Sequence, residues 1–264
     1  GKNTMQEENN TISLHYKKLG QGPPLLILHG LFGSLDNWQT IANGLADQFT
    51  IYLIDLRNHG KSPHHPLMNY HLMAQDLVRF VHEHNLREVN IIGHSMGGKV
   101  VMELLATDET LVHKAMVVDI GIKAYKGGHE EIFKAMFSLN LDKLTKRSEA
   151  EEGLIPFIPD FGVRQFILKN LDRKHDQKFV WKLNLEAIYQ NYKNINESLS
   201  PDHRIYIPVC FVLGSKSNYV TNEDREEIKI YFSEAEFVTI ENAGHWIHAD
   251  QPVKMVEVIK EYFD

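Results

Sequence analysis

Features that would point to other classes of protein are nearly absent from this sequence. Its 264 residues include a single cysteine, Cys210, which excludes an internal disulfide and fits a reducing compartment. Cys210 lies inside an apolar run, so we interpret it as a core residue. The longest apolar runs, 23–28 and 209–213, are strand-sized and far shorter than a membrane span. A formal net charge of −7 without a basic stripe argues against nucleic acid as the main partner.

The N-terminal end carries no targeting signal that we can identify. Its first ten residues are polar and lack the apolar segment of a secretory signal. Gly1 is not an initiator residue, which makes Met5 a candidate native start. We therefore expect a cytoplasmic protein without stable membrane insertion, and the oligomeric state is left open.

Short apolar runs alternate with helical patterns over most of the chain. Strands that alternate with helices form βαβ units, so we predict an α/β fold with a mostly parallel central sheet flanked by helices. With 43% hydrophobic residues, the chain can bury a large core. The predicted strands are 11–16, 25–28, 50–55, 89–92, 115–119, 209–213 and 236–240, and the predicted helices are 36–47, 69–85, 99–106, 222–231 and 252–263.

The alternation stops between residues 122 and 201. This segment is mostly helical in pattern, is broken at Gly127-Gly128, and has no strand signal of comparable strength. Because the strand–helix alternation resumes after it, we interpret the segment as an insertion in one α/β domain. The predicted organisation is a core formed by 1–121 and 202–264, with a helical cap formed by 122–201.

The stretch Val89–Met102 carries the strongest functional signal. Within it, Gly93–Gly97 fits the pattern G-x-S-x-G, in which a sharp strand-to-helix turn exposes a serine hydroxyl above the sheet. The pattern alone is short enough to occur by chance. Here a predicted strand precedes it and a predicted helix follows it, which makes Ser95 the predicted nucleophile and not an ordinary loop serine.

A serine hydroxyl becomes a good nucleophile when a base removes its proton. With this motif the partners follow along the chain in the order serine, acid, histidine. His245 lies just past the last predicted strand, where a loop opens onto the same crevice as the serine turn. His248 is the alternative, but it lies where the next helix begins, so His245 is the predicted base.

The acid is not where this arrangement most often has it. The loop Gly214–Val220, after the strand 209–213, holds no carboxylate, and Asp224 falls in the first turn of a predicted helix, where an acid favours the helix dipole. Asp119 ends the strand after the nucleophile helix, and a right-handed crossover sets that strand beside the nucleophile strand. Asp119 is therefore the predicted acid. The alternative is that it only caps the chain entering the insertion.

Two backbone amides are predicted to bind the oxyanion. One belongs to the residue after the nucleophile, Met96, and the other to the loop His29–Gly33. The residue just past His29-Gly30 is Leu31, so its amide is our prediction, with Phe32 as the alternate.

A family resemblance is carried by the stretches His29–Ser34, Asp55–Gly60, Gly93–Lys99, Val118–Ile120 and Asn242–His248. They resemble those of YbfF-type esterases, small α/β-hydrolases with bacterial members and a mitochondrial relative in animals. The resemblance runs from about Thr11 to the C-terminus and is looser in the insertion. It implies the α/β-hydrolase fold and hydrolysis of carboxylic esters or thioesters without a cofactor. It also implies an acid after the strand that follows the nucleophile, which agrees with Asp119.

We predict a serine esterase or thioesterase that acts on a small-molecule acyl ester or thioester. The histidine pair in Pro63–Pro66 has no partner cluster at ligand spacing, so no metal site is predicted. Lactonases and carbon–carbon bond hydrolases are the enzymatic alternatives, and a non-catalytic ligand-binding protein of the same fold is another. Large apolar side chains predict an acyl pocket, for which the candidates are Phe32, Phe133, Phe137, Phe157, Phe161 and Trp246.

Overall fold

The computed structural model describes residues 10–264. The polar stretch in which the sequence predicts no secretory signal therefore lies largely outside the described residues. The strands of the described part are β1 Tyr16–Gly20, β2 Pro24–Leu28, β3 Thr50–Ile54, β4 Val89–His94, β5 Val112–Val118, β6 Leu171–Arg173, β7 Phe179–Trp181, β8 Val209–Gly214 and β9 Ala235–Ile240.

Helices follow most of these strands. Short 3₁₀ turns lie at Leu35–Trp38, Glu109–Leu111 and Leu141–Lys143. The α-helices are α1 Gln39–Leu45, α2 Tyr70–Glu83, α3 Met96–Asp108, α4 Glu130–Ser138, α5 Arg147–Leu154, α6 Phe161–Leu168, α7 Leu185–Gln190, α8 Tyr192–Ile195, α9 Asn222–Tyr231, α10 Ile247–Asp250 and α11 Pro252–Tyr262. Of the helices in residues 10–264, none is long and apolar enough to cross a membrane.

Seven strands form one sheet in the order β1-β3-β2-β4-β5-β8-β9. β1 pairs with β3 antiparallel, and every other pairing in this sheet is parallel. Helices cover both faces, which is why the central strands are continuous apolar runs; every residue of β4 and of β8 is buried. The predicted α/β class with a mostly parallel sheet is confirmed.

The strand register brings the ends of the central strands together. Leu28 of β2 lies opposite Gly93 of β4, and His94 of β4 lies opposite Val118 of β5. In parallel strands the carboxyl ends share one edge of the sheet, which is the usual place for a ligand site in an open α/β fold. The residues that follow β2, β4 and β5 therefore meet above this edge.

The two faces of the sheet carry separate hydrophobic cores. Helices α2 and α3 pack together on one face, while α1 and α11 pack together on the other. Cys210 of β8 is 1% exposed and belongs to the second core, as its apolar surroundings predict. Asn69, where the predicted helix 69–85 begins, caps α2 by accepting a hydrogen bond from the amide of Leu72.

The predicted strand 11–16 is wrong. Ile12 and Leu14 are buried, so the alternation of apolar residues correctly marks an extended segment packed on the core. Two of its backbone amides, however, donate to side chains and not to another strand: the amide of Ile12 donates to Asp76, and the amide of His15 donates to Ser62. The first strand begins at Tyr16 and is an exposed edge.

Residues 122–201, which we call the cap segment, contribute no strand to the large sheet. They form α4–α8 as the helical pattern predicts, but they also contain the antiparallel pair β6–β7, which sequence reasoning missed. Each of these strands has three residues, too few for a period-2 pattern to appear.

The two ends of the cap segment are bonded to each other. The amide of Leu199 donates to the carbonyl of Ile122, and the amide of Tyr125 donates to that of Asn196. The buried ammonium group of Lys99, on α3, donates to the carbonyls of Lys123 and Glu197, at 2.6 Å and 2.5 Å. The chain therefore leaves the core and returns to it at one place.

Candidate active site

Ser95 occupies the sharp turn between β4 and α3. Its φ of 54° and ψ of −117° lie where L residues rarely fold. A Cβ atom on Gly93 would fall 2.1 Å from the carbonyl oxygen of Gly97, and one on Gly97 would fall 2.5 Å from the carbonyl oxygen of His29. The two glycines of the motif are thus required by space, because the turn packs helix against strand with no room for a side chain.

His245 and Asp119 lie within hydrogen-bond distance of the serine site. The Nε2 atom of His245 is 2.9 Å from the Oγ atom of Ser95, and its Nδ1 atom is 2.7 Å from the Oδ2 atom of Asp119. A carboxylate only accepts, so Nδ1 carries the proton and Nε2 is left to accept from the serine hydroxyl. The three predicted residues are therefore brought together, in the geometry that nucleophilic catalysis needs.

Asp119 is held from several sides. It is 1% exposed, with a φ of 55°, directly after β5. Its carboxylate accepts from the amide of Gly214 and from the hydroxyl of Ser217, in addition to His245. Three donors compensate for the burial of this charge and fix the oxygen that faces the histidine.

The alternative base and acid lie elsewhere. His248 stacks on Trp38, with ring centroids 4.4 Å apart and an angle of 14° between the planes. Asp224 caps α9 together with Thr221 and forms an ion pair of 2.7 Å with Lys123. Neither residue makes a hydrogen bond to Ser95 or to His245 among those of the described chain.

The loop that holds the predicted oxyanion amide of Leu31 lies against the serine turn. Gly30 lies so close that a Cβ atom on it would be 3.4 Å from the Cβ atom of Ser95, which sets the loop after β2 against the nucleophile. Met96 is the first residue of α3, where the backbone N–H has no partner within the helix. The amide of Phe32 donates to His59 at 3.1 Å and is therefore engaged. Leu31 and Met96 remain our prediction.

Comparison with known proteins settles the family. A family model described as alpha/beta hydrolase fold matches residues 23–252. The chain belongs to this family. Esterase YbfF of Escherichia coli (strain K12) is 34% identical over 91% of this chain and 93% of that protein. The sn-1-specific diacylglycerol lipase ABHD11 of Danio rerio is 36% identical over 91% of this chain and 78% of that protein.

A solved structure agrees with these relatives. One described as a marine microorganism esterase has a TM-score of 0.94 at 42% identity, covering 96% of this chain and 100% of that chain. The resemblance to YbfF-type esterases is thereby confirmed. The protein is an α/β-hydrolase of the esterase/lipase type.

Two buried histidines hold the loops that follow β2 and β3 in this α/β-hydrolase, and sequence reasoning did not single them out. His29 accepts from the amide of Leu56 and His59 accepts from that of Phe32, while each ring donates its other N–H to a nearby carbonyl. Burial lowers the pKa of His29 to about 4 and that of His59 to about 3. Both rings are therefore neutral at pH 7, as acceptors for backbone amides must be.

His248 offers a direct test of these neutral histidines in the α/β-hydrolase. Burial, followed by the neighbouring His245 and Lys169, lowers its pKa to about 3, and its Nδ1 atom is buried without a partner in the described chain. In the unfolded chain a histidine binds a proton near pH 6.5, so stability is complete above that pH and is lost as the pH falls towards 3. We expect the free energy of unfolding to decrease by up to about 1.4 kcal/mol per pH unit for each such histidine.

The measurement is urea unfolding at several values between pH 7 and pH 4.5. His248→Phe keeps a flat ring against Trp38 and removes one titrating group, so its stability should depend less steeply on pH. The exposed His113→Gln serves as the control. Equal slopes for wild type and His248→Phe would contradict the buried, neutral assignment.

The predicted acyl-pocket residues differ in how deeply they are buried in the α/β-hydrolase. The rings of Phe32 and Phe133 are both buried and lie 5.1 Å apart, edge to face. Phe157 is half-buried, and Trp246 is half-buried with its ring 5.0 Å from that of Phe166.

Two of the predicted residues lie at the surface. Phe137 is 46% exposed, and Phe161 is 66% exposed, in the first turn of α6 with the guanidinium of Arg164 over its ring. The abundance of large apolar side chains, from which the pocket was predicted, does not distinguish rings at the surface from rings that line a pocket. Phe32 and Phe133 are the candidates with the best support.

Proposed function

We propose that this α/β-hydrolase cleaves carboxylic esters or thioesters through an acyl-enzyme intermediate on Ser95. The observation that carries the proposal is the unbroken hydrogen-bond chain from the hydroxyl of Ser95, through His245, to the carboxylate of Asp119. A purely ligand-binding protein would have no need of this chain. A fluorophosphonate probe that labels wild type but not Ser95→Ala would support it directly.

In the first half-reaction, the hydroxyl oxygen of Ser95 attacks the acyl carbon while Nε2 of His245 takes the hydroxyl proton. Asp119 keeps His245 in the required tautomer and stabilises the imidazolium that forms. The amides of Leu31 and Met96 donate to the oxyanion, each contributing roughly 3–4 kcal/mol in the transition state. His245 then returns the proton to the departing alcohol or thiol.

In the second half-reaction, water takes the place of the leaving group. His245 removes a proton from this water, whose oxygen attacks the acyl carbon, and the same two amides hold the second oxyanion. Collapse of that intermediate releases the carboxylic acid, and the proton on His245 returns to Ser95. Water is the only co-reactant in this scheme, and every proton transfer runs through His245.

We further propose that the cap segment roofs the site and carries an acyl pocket. Three of its residues reach the oxyanion loop. The amide group of Asn170 donates to the carbonyl of Phe32 at 2.9 Å, and the rings of Phe133 and His129 lie 5.1 Å and 5.8 Å from that of Phe32. An acyl chain on Ser95 would leave the oxyanion loop towards these aromatic rings.

The acyl pocket predicts a dependence on chain length. Each methylene buried against Phe32 and Phe133 contributes about 0.8 kcal/mol, which is roughly a fourfold gain in kcat/KM. For p-nitrophenyl esters from acetate to dodecanoate, below their micelle concentrations, kcat/KM should rise with acyl length until the pocket is full.

Two phenylalanine variants separate the pocket from the surface. Phe133→Leu should flatten the rise, because it shortens the aromatic wall while keeping an apolar core side chain. Phe161→Leu is the matched control on an exposed ring and should leave the series unchanged. A preference that falls from acetate onwards, and is the same in all three proteins, would leave the pocket without support.

A further inference from the structure

The ring of Tyr219 lies flat on the imidazole of His245. The two centroids are 3.7 Å apart and the planes differ by 12°, the closest aromatic contact in the described chain. Tyr219 belongs to the loop after β8, which drew attention in the sequence only because it holds no carboxylate. The titratable groups around His245 are Asp119 and the imidazoles of His94, His129 and His248.

Tyr219 is itself fixed by its neighbours. Its amide donates to the hydroxyl of Ser217, which in turn donates to Asp119. Its carbonyl accepts a hydrogen bond of 2.7 Å from the hydroxyl of Tyr125, and the two tyrosine rings stack with centroids 5.5 Å apart. Ser217 and Tyr125 together therefore fix the position of the Tyr219 ring above His245.

Tyr125 ties this arrangement to the base of the cap segment. Its hydroxyl accepts from the amide of Gly121, two residues after Asp119, and its own amide donates to Asn196 where the cap segment returns. The ammonium group of Lys99 lies 5.1 Å from the centre of the Tyr125 ring. Tyr125 therefore links the Tyr219 ring that stacks on His245 to the hydrogen bonds that join the two ends of the cap segment.

We propose that Tyr219 is a positioning residue for His245, held in place by Tyr125 at the base of the cap segment. The proposal rests on the proposed function, in which His245 is the base. His245 can form hydrogen bonds with Ser95 and Asp119 at the same time only while its ring stays in one plane. The stacked tyrosine restricts rotation out of that plane. The aromatic face also stabilises the imidazolium that forms during the reaction.

The closing experiment compares Tyr219→Phe, which keeps the stacked ring, with Tyr219→Leu, which keeps an apolar side chain but loses the flat face. An aromatic pair of this kind corresponds to a change of up to about tenfold. Tyr219→Leu should lose kcat by about that factor with KM within twofold, while Tyr219→Phe stays close to wild type. Tyr206→Leu, at a tyrosine that is 65% exposed, is the matched control.

The pH profile of kcat/KM gives a readout that altered folding alone would not produce. Its acid limb reports protonation of the general base. Leucine excludes water as the ring does but does not stabilise the imidazolium, so the acid limb should move to lower pH by roughly half a unit in Tyr219→Leu. It should not move in Tyr219→Phe.

A spectroscopic measurement makes the result independent of turnover. The Nδ1 proton of His245, bonded to Asp119, should give a far-downfield ¹H NMR resonance that persists in Tyr219→Phe and is broadened by exchange in Tyr219→Leu. Tyr125→Phe should broaden it partly, and adding that change to Tyr219→Leu should have little further effect, because both act on one contact.

The possible results separate two failures. If Tyr219→Leu keeps the wild-type resonance, kcat and acid limb, the positioning role is wrong. The same holds if Tyr219→Phe is impaired as much as Tyr219→Leu. If instead Ser95→Ala retains ester hydrolysis, the proposed acyl-enzyme intermediate on Ser95 is wrong, whatever the resonance of His245 shows.

Discussion

Ser95→Ala is expected to lower kcat for a p-nitrophenyl ester about a millionfold, the loss that removal of a nucleophilic serine causes elsewhere. Alanine keeps the Cβ atom and so leaves the packing of the turn between Gly93 and Gly97 unchanged. What it removes is the oxygen that lies 2.9 Å from His245. The oxyanion amides and the substrate contacts remain, and they account for the small residual rate.

The control for Ser95→Ala is the same change at Ser148, an exposed serine of α5. Both variants should unfold at the wild-type temperature, and only Ser95→Ala should lose activity and fluorophosphonate labelling. More than a few per cent of the activity in a folded Ser95→Ala protein would mean that another residue is the nucleophile.

Asp119→Asn is expected to reduce kcat by about 10⁴ while the fold is kept. Asparagine has the same shape and tolerates the φ of 55° at this position well. Its amide group, however, offers N–H donors as well as an oxygen, so it can bind the tautomer of His245 that has no free Nε2 acceptor for Ser95. The loss should appear in kcat much more than in KM.

Asp224→Asn is the comparison for the acid, since Asp224 caps α9 and does not contact His245. It should be mild. Ser217→Ala should also be mild, because two donors to Asp119 remain and the 2.7 Å hydrogen bond from Tyr125 still holds Tyr219 after the 3.3 Å bond to Ser217 is lost. If Asp224→Asn proved more damaging than Asp119→Asn, the acid would be wrongly assigned.

The parts of the fold that follow from local rules could be predicted. The apolar runs that became β2, β3, β4, β5 and β8 are largely buried, so composition alone marks them. The turn at Ser95 was predictable because its two glycines are required by contacts at a fixed spacing. The role of Asp119 could be predicted from topology, since a right-handed crossover makes its strand the neighbour of the nucleophile strand.

Features that depend on how loops pack could not be predicted. Nothing local to Tyr219 indicates that its ring will lie on a histidine distant in the sequence. The histidines at 29 and 59 are neutral acceptors only because the folded chain buries them. Phe133 and Phe161 are alike in the sequence, yet one is 3% and the other 66% exposed. In each case the deciding partner comes from another part of the chain.

The bonded ends of the cap segment have a consequence for how such a protein can diverge. The amide of Leu199 is hydrogen-bonded to Ile122, and Lys99 binds the carbonyls of Lys123 and Glu197, one at each end of the segment. The cap segment is therefore a closed loop whose two ends are held at a fixed separation. Lengthening a loop costs little, about 0.6 kcal/mol for each doubling. Insertions and deletions above that base can therefore accumulate over evolution without moving Ser95, Asp119 or His245, which follow strands of the core sheet.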